Sequence, residues 1–374
     1  MVNTKGFMIF NSVKVGIYYR VMAEYWLNPE EGQAQWDGVL ERFPESSFSM
    51  LYGWRRVYEK ALGLKTFYLL VSGKGNEVQG LCPLVLMRSP WIGRGAFLVS
   101  LPYMTRAGIC FREAEVRQTI LDRIGEKARE LRVGFVELRE LASGDNPLGF
   151  PANQEHIQMA LELPQDWQQY EKAIAPRLRQ VKKANQAGLS IKRGRGPDLL
   201  NDFYRVFSQR MKELVFPVYP KEYFRMILET FPSQTELLLV YDQTTPLGGM
   251  LLFSFNRVAS APYVAALIKG QTSYPNQLLY YSAIRQAWEE GMRVFDFCRS
   301  QVGSGTFNFK GQWKAKPREL TYYYPVCKNR SHLPTVGQAQ GSWSFQLAEK
   351  IWPRLPLPVT QWLGRRLIRQ LVLA

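Results

Sequence analysis

Gly291-Met292-Arg293-Val294-Phe295-Asp296-Phe297-Cys298-Arg299-Ser300 reads as a helix end followed by a strand, and Val133-Gly134-Phe135-Val136-Glu137-Leu138-Arg139 reads alike in the first half of the chain. In each, a glycine closes a helical segment, an apolar run of strand character follows, and an acid and an arginine come near its end. The helices that lead in are expected over Ala114 to Leu131 and Leu278 to Glu290. Further upstream, Phe67 to Val71 and Val78 to Met87 flank the turn Ser72-Gly73-Lys74-Gly75-Asn76. Likewise Glu236 to Tyr241 and Leu247 to Phe255 flank Asp242-Gln243-Thr244-Thr245-Pro246. Each pair predicts a β-hairpin. A third strand is expected after each, at Ala96 to Leu101 and at Ala261 to Ile268. Gly80 and Gly248 are separated by almost the same length of chain as Arg139 and Arg299, as a duplicated unit requires. The order hairpin, strand, loop, helix, strand implies an α/β (α+β) architecture in which mixed sheets are flanked by helices.

The 374 residues suit two domains of ordinary size, and a 46% hydrophobic, 13% aromatic composition can fill their cores. The expected division is an N-terminal extension 1–35, a first domain 36–160, a second domain 161–330 and a basic amphipathic tail 331–374. The net charge of +16 favours anionic partners: phosphates, nucleic acid, anionic glycans or lipid headgroups. Cys82, Cys110, Cys298 and Cys327 show no paired spacing, and His156 and His332 have no ligand or triad context. A disulfide framework, a metal site and imidazole catalysis are therefore not expected, and both histidines read as surface or loop residues. Neither a signal-type apolar segment nor a run of ~18 apolar residues is present, which gives the expectation of a cytoplasmic protein.

Three stretches carry candidate chemistry. Between Lys172 and Pro197 there are eight basic residues and no acid. The helix expected at 176–188 places Leu178, Val181 and Ala184 on one side and Arg179, Lys182 and Lys183 outward, either as a solvated face or as a phosphate-binding one. After the second terminal strand comes Gly305-Thr306-Phe307-Asn308-Phe309-Lys310-Gly311-Gln312-Trp313-Lys314-Ala315. Read as extended, it puts Phe307 and Phe309 on one face and Asn308 and Lys310 on the other, so that a partly desolvated Lys310 could stabilise an oxyanion or a phosphate. Strand alternation sets Asp296 and Cys298 opposite Phe297 and Arg299, leaving Asp296 open as either a general base or an ion-pair partner. Lys269 to Gln277 predicts a loop entering a helix, with Asn276 as N-cap. No P-loop or dinucleotide fingerprint occurs, and neither half supplies the R/Q-x-x-G-x-G/A loop of CoA-dependent acetyltransferases. In the tail, Ser331 to Ser344 is turn-rich, and 359–374 can form a helix with Trp362, Leu363, Leu367, Ile368, Leu371 and Val372 on one face. That helix can dock on the protein itself or on an anionic membrane.

The two α/β copies, the basic helix between them, and Asp296-Phe297-Cys298-Arg299-Ser300 followed by Phe309-Lys310-Gly311-Gln312-Trp313 resemble the FemAB family, from about Trp36 to Arg330. More narrowly they are similar to the FemAB-related proteins of exosortase and PEP-CTERM systems in exopolysaccharide-producing bacteria. The resemblance implies two tandem GNAT-like (acyl-CoA N-acyltransferase-type) domains and transfer of an acyl or aminoacyl group to an amine of a cell-envelope, peptidoglycan or exopolysaccharide precursor. It implies no tightly bound cofactor and a donor that is aminoacyl-tRNA or another acyl carrier, with acyl-CoA less favoured. Lys310 would be catalytic, with Arg299, Ser300, Asn276, Trp313, Lys314, Arg179, Lys182 and Lys183 binding substrate. The place of action would be the cytoplasm, with the inner face of the membrane as an open alternative. Two other readings stay open: a CoA-dependent N-acyltransferase with a divergent loop, and a non-catalytic RNA or anionic-polymer binder.

Overall fold

The computed structural model describes residues 11–13, 20–27, 32–90, 95–141, 149–268, 271–328, 333 and 349–371. The expected turns at 143–147 and 331–344, with His332 but apart from Leu333, together with Lys269, Gly270 and Val372, lie outside the described residues.

Two short strands, β1 (Asn11–Val13) and β2 (Arg20–Trp26), come first. They are followed by helix α1 (Gln33–Leu40) and by α2 (Trp54–Arg56), which continues as a π-helical turn over Val57–Ala61. The first half then runs through β3 (Lys65–Ser72), β4 (Val78–Ser89), β5 (Gly95–Val99), β6 (Cys110–Phe111), α3 (Ala114–Glu130) and β7 (Phe135–Leu141). After β8 (Ala152–Asn153) and β9 (His156–Glu162) come α4 (Trp167–Ala173), α5 (Ala175–Gln186), β10 (Leu189–Gly194), α6 (Pro197–Glu213) and α7 (Lys221–Thr230). The second half repeats the order of the first: β11 (Thr235–Asp242), β12 (Thr245–Phe255), β13 (Val258–Ala266), α8 (Pro275–Glu289) and β14 (Val294–Gln301). Helix α9 (Gly305–Gly311), β15 (Lys316–Cys327) and α10 (Leu357–Leu367) complete it.

The duplication holds at the level of single residues. Gly80 faces Val71 and Gly248 faces Val240, and each hairpin slips register at the next step. Val85 pairs with Val99 in the first half and Phe253 with Ser260 in the second. The crossover strands then join in parallel at Val99 with Glu137 and at Ser260 with Asp296. Packing is close at both hairpin glycines: a Cβ on Gly80 would lie 2.7 Å from Val116, closer than a side chain allows, and one on Gly248 would be crowded at 3.1 Å from Val240 and 3.2 Å from a carbonyl oxygen.

The two units join edge to edge in one mixed sheet, ordered β1-β2-β3-β4-β5-β7-β15-β9-β14-β13-β12-β11-β10. Strand β15 makes the junction, pairing with β7 along its C-terminal part and with β9 along its N-terminal part. His156 is therefore not a loop residue: it sits on β9, tilted against Tyr322, where burial and the charges of Arg299 and Arg139 push its pKa down to about 4.

An aromatic core lies between the halves. Phe48 stacks on Phe253 at 4.3 Å and meets Phe231 edge-on at 4.9 Å, and Trp54 packs on Tyr223, Phe231 and Phe253. The opposite faces carry separate clusters, one under α3 and one under α4, α5, α8 and α9.

The tail docks on its own chain. The buried side of α10 and the turn after it is Thr360, Gly364 and Ile368, and Tyr103 donates its hydroxyl proton to the Ile368 carbonyl. The face expected from sequence is corrected in one respect, since Trp362 is 53% exposed under the guanidinium of Arg366. Gly364 is the reason: a Cβ there would lie 2.7 Å from the Val218 backbone nitrogen, so the helix presents its smallest residue to the protein. Gly364→Val is expected to lift α10 from α6, which limited proteolysis would read as faster cleavage near residue 350 with the rest of the chain intact.

Candidate functional site

Strands β13 and β14 pair only over Val258–Ser260 and Val294–Asp296. Beyond that point β13 stays with β12 as far as Ala266 and β14 stays with β9, its partner on the other edge throughout, so the sheet opens between β13 and β14. A bulge between Asp296 and Arg299 marks the opening, with Cys298 held at φ 62°. The Cys298 N–H donates to Asp296 Oδ1 at 2.7 Å, which fixes that strained residue. Asp296 and Cys298 share a face, as alternation requires, while Phe297 packs on Tyr280 on the other; beyond the bulge the alternation no longer assigns Arg299 to a side.

The stretch expected to be extended around Lys310 is helical. Gly303, at φ 77°, stops the strand, and Ser304 caps α9 by accepting the Phe307 N–H at 3.2 Å. The aromatics that share a face are Phe309 and Trp313, one helical turn apart, both against Tyr280. Lys310 turns back onto β14, where its ammonium donates to the Arg299 carbonyl at 2.8 Å and to that of Cys298 at 3.2 Å. It is only 7% exposed. Burial pushes its pKa down to about 8, with the Arg299 charge adding to the shift and Cys298 and Asp296 opposing it. An ammonium carries three N–H donors, so one remains for a ligand.

The other candidates divide into those close to Lys310 and those on the surface. Arg299 and Ser300 follow the bulge on β14, and the Ser300 hydroxyl is buried without a partner among the described residues. Asn276 is not the N-cap: Tyr274, at φ 59°, holds that position, and Asn276 lies within the first turn of α8. Trp313 is fully buried, and its carbonyl accepts from the Tyr170 hydroxyl, so it braces α9 from the core. Lys314 is exposed at φ 67°. On α5, Val181 and Ala184 are buried against α8 while Arg179, Lys182 and Lys183 face outward. Helices α5, α8 and α9 cover the same sheet face, although no contact among the described residues joins the three basic side chains to Lys310.

Across the bulge from Lys310, a cavity of about 290 Å³ lies between the halves. Ser46 and Arg106 reach it from the first half, Ser260, Asp296 and Cys298 from the second, and Arg318 from β15. Sequence reasoning placed only Asp296 and Cys298 of these together, on one face of a strand, because the rest meet through the junction of two units.

Residues 173–311 match the family model described as an acetyltransferase (GNAT) domain. The second half is a GNAT-type domain. No curated protein matches the chain in sequence. Among solved structures, the chain is similar to FemX at 14% identity, over 80% of this chain and 96% of that one, with a TM-score of 0.62. It is also similar to the C-terminal domain of a putative lysylphosphatidylglycerol synthetase from Agrobacterium fabrum, at 12% identity over 81% and 93% of the two chains, TM-score 0.53. A third structure, L-PGS from Bacillus licheniformis, matches at 13% identity over 92% and 98%, TM-score 0.52. These likenesses establish the shared fold, a FemX-like arrangement of GNAT-type units. No helix among the described residues is long and apolar enough to cross a membrane.

Proposed function

We propose that the protein is a Fem-type acyltransferase, moving an aminoacyl or acyl group from a polyanionic carrier to an amine of a cell-envelope or exopolysaccharide precursor. The observation that carries this reading is the buried Lys310 ammonium, fixed by two strand carbonyls beside the open β13–β14 edge. A positive charge prearranged in a desolvated wedge stabilises the oxyanion formed when an amine attacks an acyl carbonyl, with no histidine required. The exposed Arg179, Lys182 and Lys183 on α5 belong to the same sheet face and suit a tRNA backbone better than a CoA pyrophosphate. Arg299 and Ser300 would bind the donor beside Lys310. An exosortase-associated role rests on the sequence resemblance alone.

The test is transfer of labelled acyl groups from aminoacyl-tRNA and, separately, from acyl-CoA to hydroxylamine, a nucleophile that is uncharged at neutral pH. Label captured from tRNA and not from CoA supports the reading, and capture from CoA alone replaces the donor. Lys182→Glu/Lys183→Glu is expected to weaken tRNA binding by about tenfold or more and to flatten its salt dependence, as loss of phosphate contacts does. Filter binding at two salt concentrations measures both.

A further inference from the structure

The cavity between the halves has the chemistry of an amine site. Asp296 is its one acidic lining residue, 8% exposed, and no cation stands within ion-pair distance of it among the described residues. Its Oδ1 accepts the Cys298 N–H and its Oδ2 the Gln158 side-chain amide at 2.5 Å, bonds that hold the carboxylate without neutralising it. Ser46, also lining the cavity, has a buried hydroxyl with no partner among the described residues. Glu137 occupies the same register position in the first half as Asp296 does here, and there Arg139 neutralises it and the Tyr324 hydroxyl donates to it. The second unit keeps the acid, omits the counter-ion and opens a cavity in front of it.

We propose that this cavity receives the acceptor's primary ammonium group, with Asp296 as its counter-ion and proton acceptor. The inference rests on the acyl-transfer reading for its chemistry, but not for the binding itself. The ammonium passes one proton to Asp296, and the freed nitrogen lone pair forms the bond to the acyl carbon of a donor ester lodged on the Lys310 side. The carbonyl π electrons move to the oxygen beside the Lys310 ammonium. When they return, the ester C–O bond breaks, the leaving oxygen takes a second proton from the nitrogen, and Asp296 releases its own to solvent. Donor and acceptor thus reach the bulge from opposite faces of β14. Arg106 and Arg318, on the cavity wall, favour an acceptor that carries anionic groups beyond its amine.

Burial holds the Asp296 carboxyl above the usual range, against the Cys298 N–H, the Gln158 amide and the charges of Arg106 and Lys310. Around it stand Arg106 from the first half, Arg318 from β15, Lys310 from α9 and the neighbouring Cys298 thiol, itself pushed up by burial. Amine binding therefore falls as pH drops through the raised Asp296 pKa, above the range where an ordinary aspartate would titrate.

The probes are n-pentylamine and its uncharged counterpart 1-pentanol, followed by saturation-transfer NMR on the full chain. Pentylamine is expected to bind at least tenfold tighter than pentanol, and Asp296→Asn to abolish the difference. That variant can keep the local fold, because its amide oxygen still accepts the Cys298 N–H and Gln158 Oε1, which has no partner among the described residues, can turn to accept its N–H. Ser260→Leu, which leaves the carboxylate in place and fills the cavity, is expected to remove pentylamine binding as well, with melting curves confirming that both variants fold. Equal binding of amine and alcohol, or pentylamine affinity within twofold of wild type in both variants, overturns the inference. If acyl groups are captured by hydroxylamine but pentylamine binding ignores Asp296→Asn, the transfer reading stands and the amine site fails. If pentylamine binds through Asp296 but neither donor yields acyl hydroxamate, the amine site stands and the transfer reading fails.

Discussion

Lys310→Met is expected to lower acyl capture by hydroxylamine by about 10²–10³-fold, the cost of removing one prearranged donor to a developing oxyanion. Methionine is close in length and fills the same space, so the loss reports the charge and not a hole. Stability is expected to change little, because two effects oppose each other. The folded protein holds this ammonium at a pKa of about 8, below its unfolded value, because burial disfavours the charge. Between about pH 8 and 10.5 the unfolded chain binds more protons than the folded one, so wild-type stability rises with pH through that window. Below it the full penalty is present, on the order of 3 kcal/mol by the linkage relation. Removing the charge relieves the penalty but leaves the Cys298 and Arg299 carbonyls without this donor, so the melting temperature at pH 7 should change by only a few degrees. Activity follows the charged form: with hydroxylamine as acceptor, kcat/KM in the wild type should fall as pH rises through about 8. A flat profile to pH 9.5, or a Lys310→Met enzyme as active as wild type, would remove Lys310 from the chemistry.

The paired strand runs at Val133–Arg139 and Gly291–Arg299 made the duplication legible, because helix, glycine and strand alternate with a period that repeats. The hairpins, the helices α3, α5 and α8 and the outward basic face of α5 follow the same logic. Two local readings failed for identifiable reasons. Phe307-Asn308-Phe309-Lys310 alternates apolar and polar residues like a strand, yet Ser304 in front of it is an N-cap and the aromatics at 309 and 313 have helical spacing. Asn276 has a capping side chain, but Pro275 just before it is better suited to the first helical position, which moves the cap to Tyr274. The cavity was not legible at all. Its walls come from Ser46, Arg106, Ser260, Asp296 and Arg318, residues brought together only when β15 knits the two units into one sheet.

Arg139→Met is expected to be the most destabilising single substitution on the β7 side of that junction, by about 3–5 kcal/mol, because it leaves Glu137 buried without its cation. Both side chains are at most 1% exposed, with Arg139 Nε 2.8 Å from Glu137 Oε1. The guanidinium also donates to the Met104 carbonyl at 2.9 Å and lies over the Tyr322 ring at 4.9 Å, so it joins the first-half loop to β15. In the variant, a buried carboxylate without its cation is costly wherever it is charged, so the loss of stability grows as pH rises. Urea midpoints should therefore differ little from wild type near pH 4 and diverge steeply toward pH 8. Glu137→Gln/Arg139→Met should regain most of the loss, since a buried pair replaced as a whole leaves no stranded charge. Asp296→Asn makes the opposing case. Among the described residues its carboxylate has no ion-pair partner to strand, and burial holds it above its ordinary pKa, so removing the charge should leave the urea midpoint at pH 8 equal to or above wild type. Two acids at one register position, one costly to unpair and one costly to keep, are what a duplicated fold shows when one copy serves structure and the other holds a site open. Equal losses from the two substitutions would refute that division.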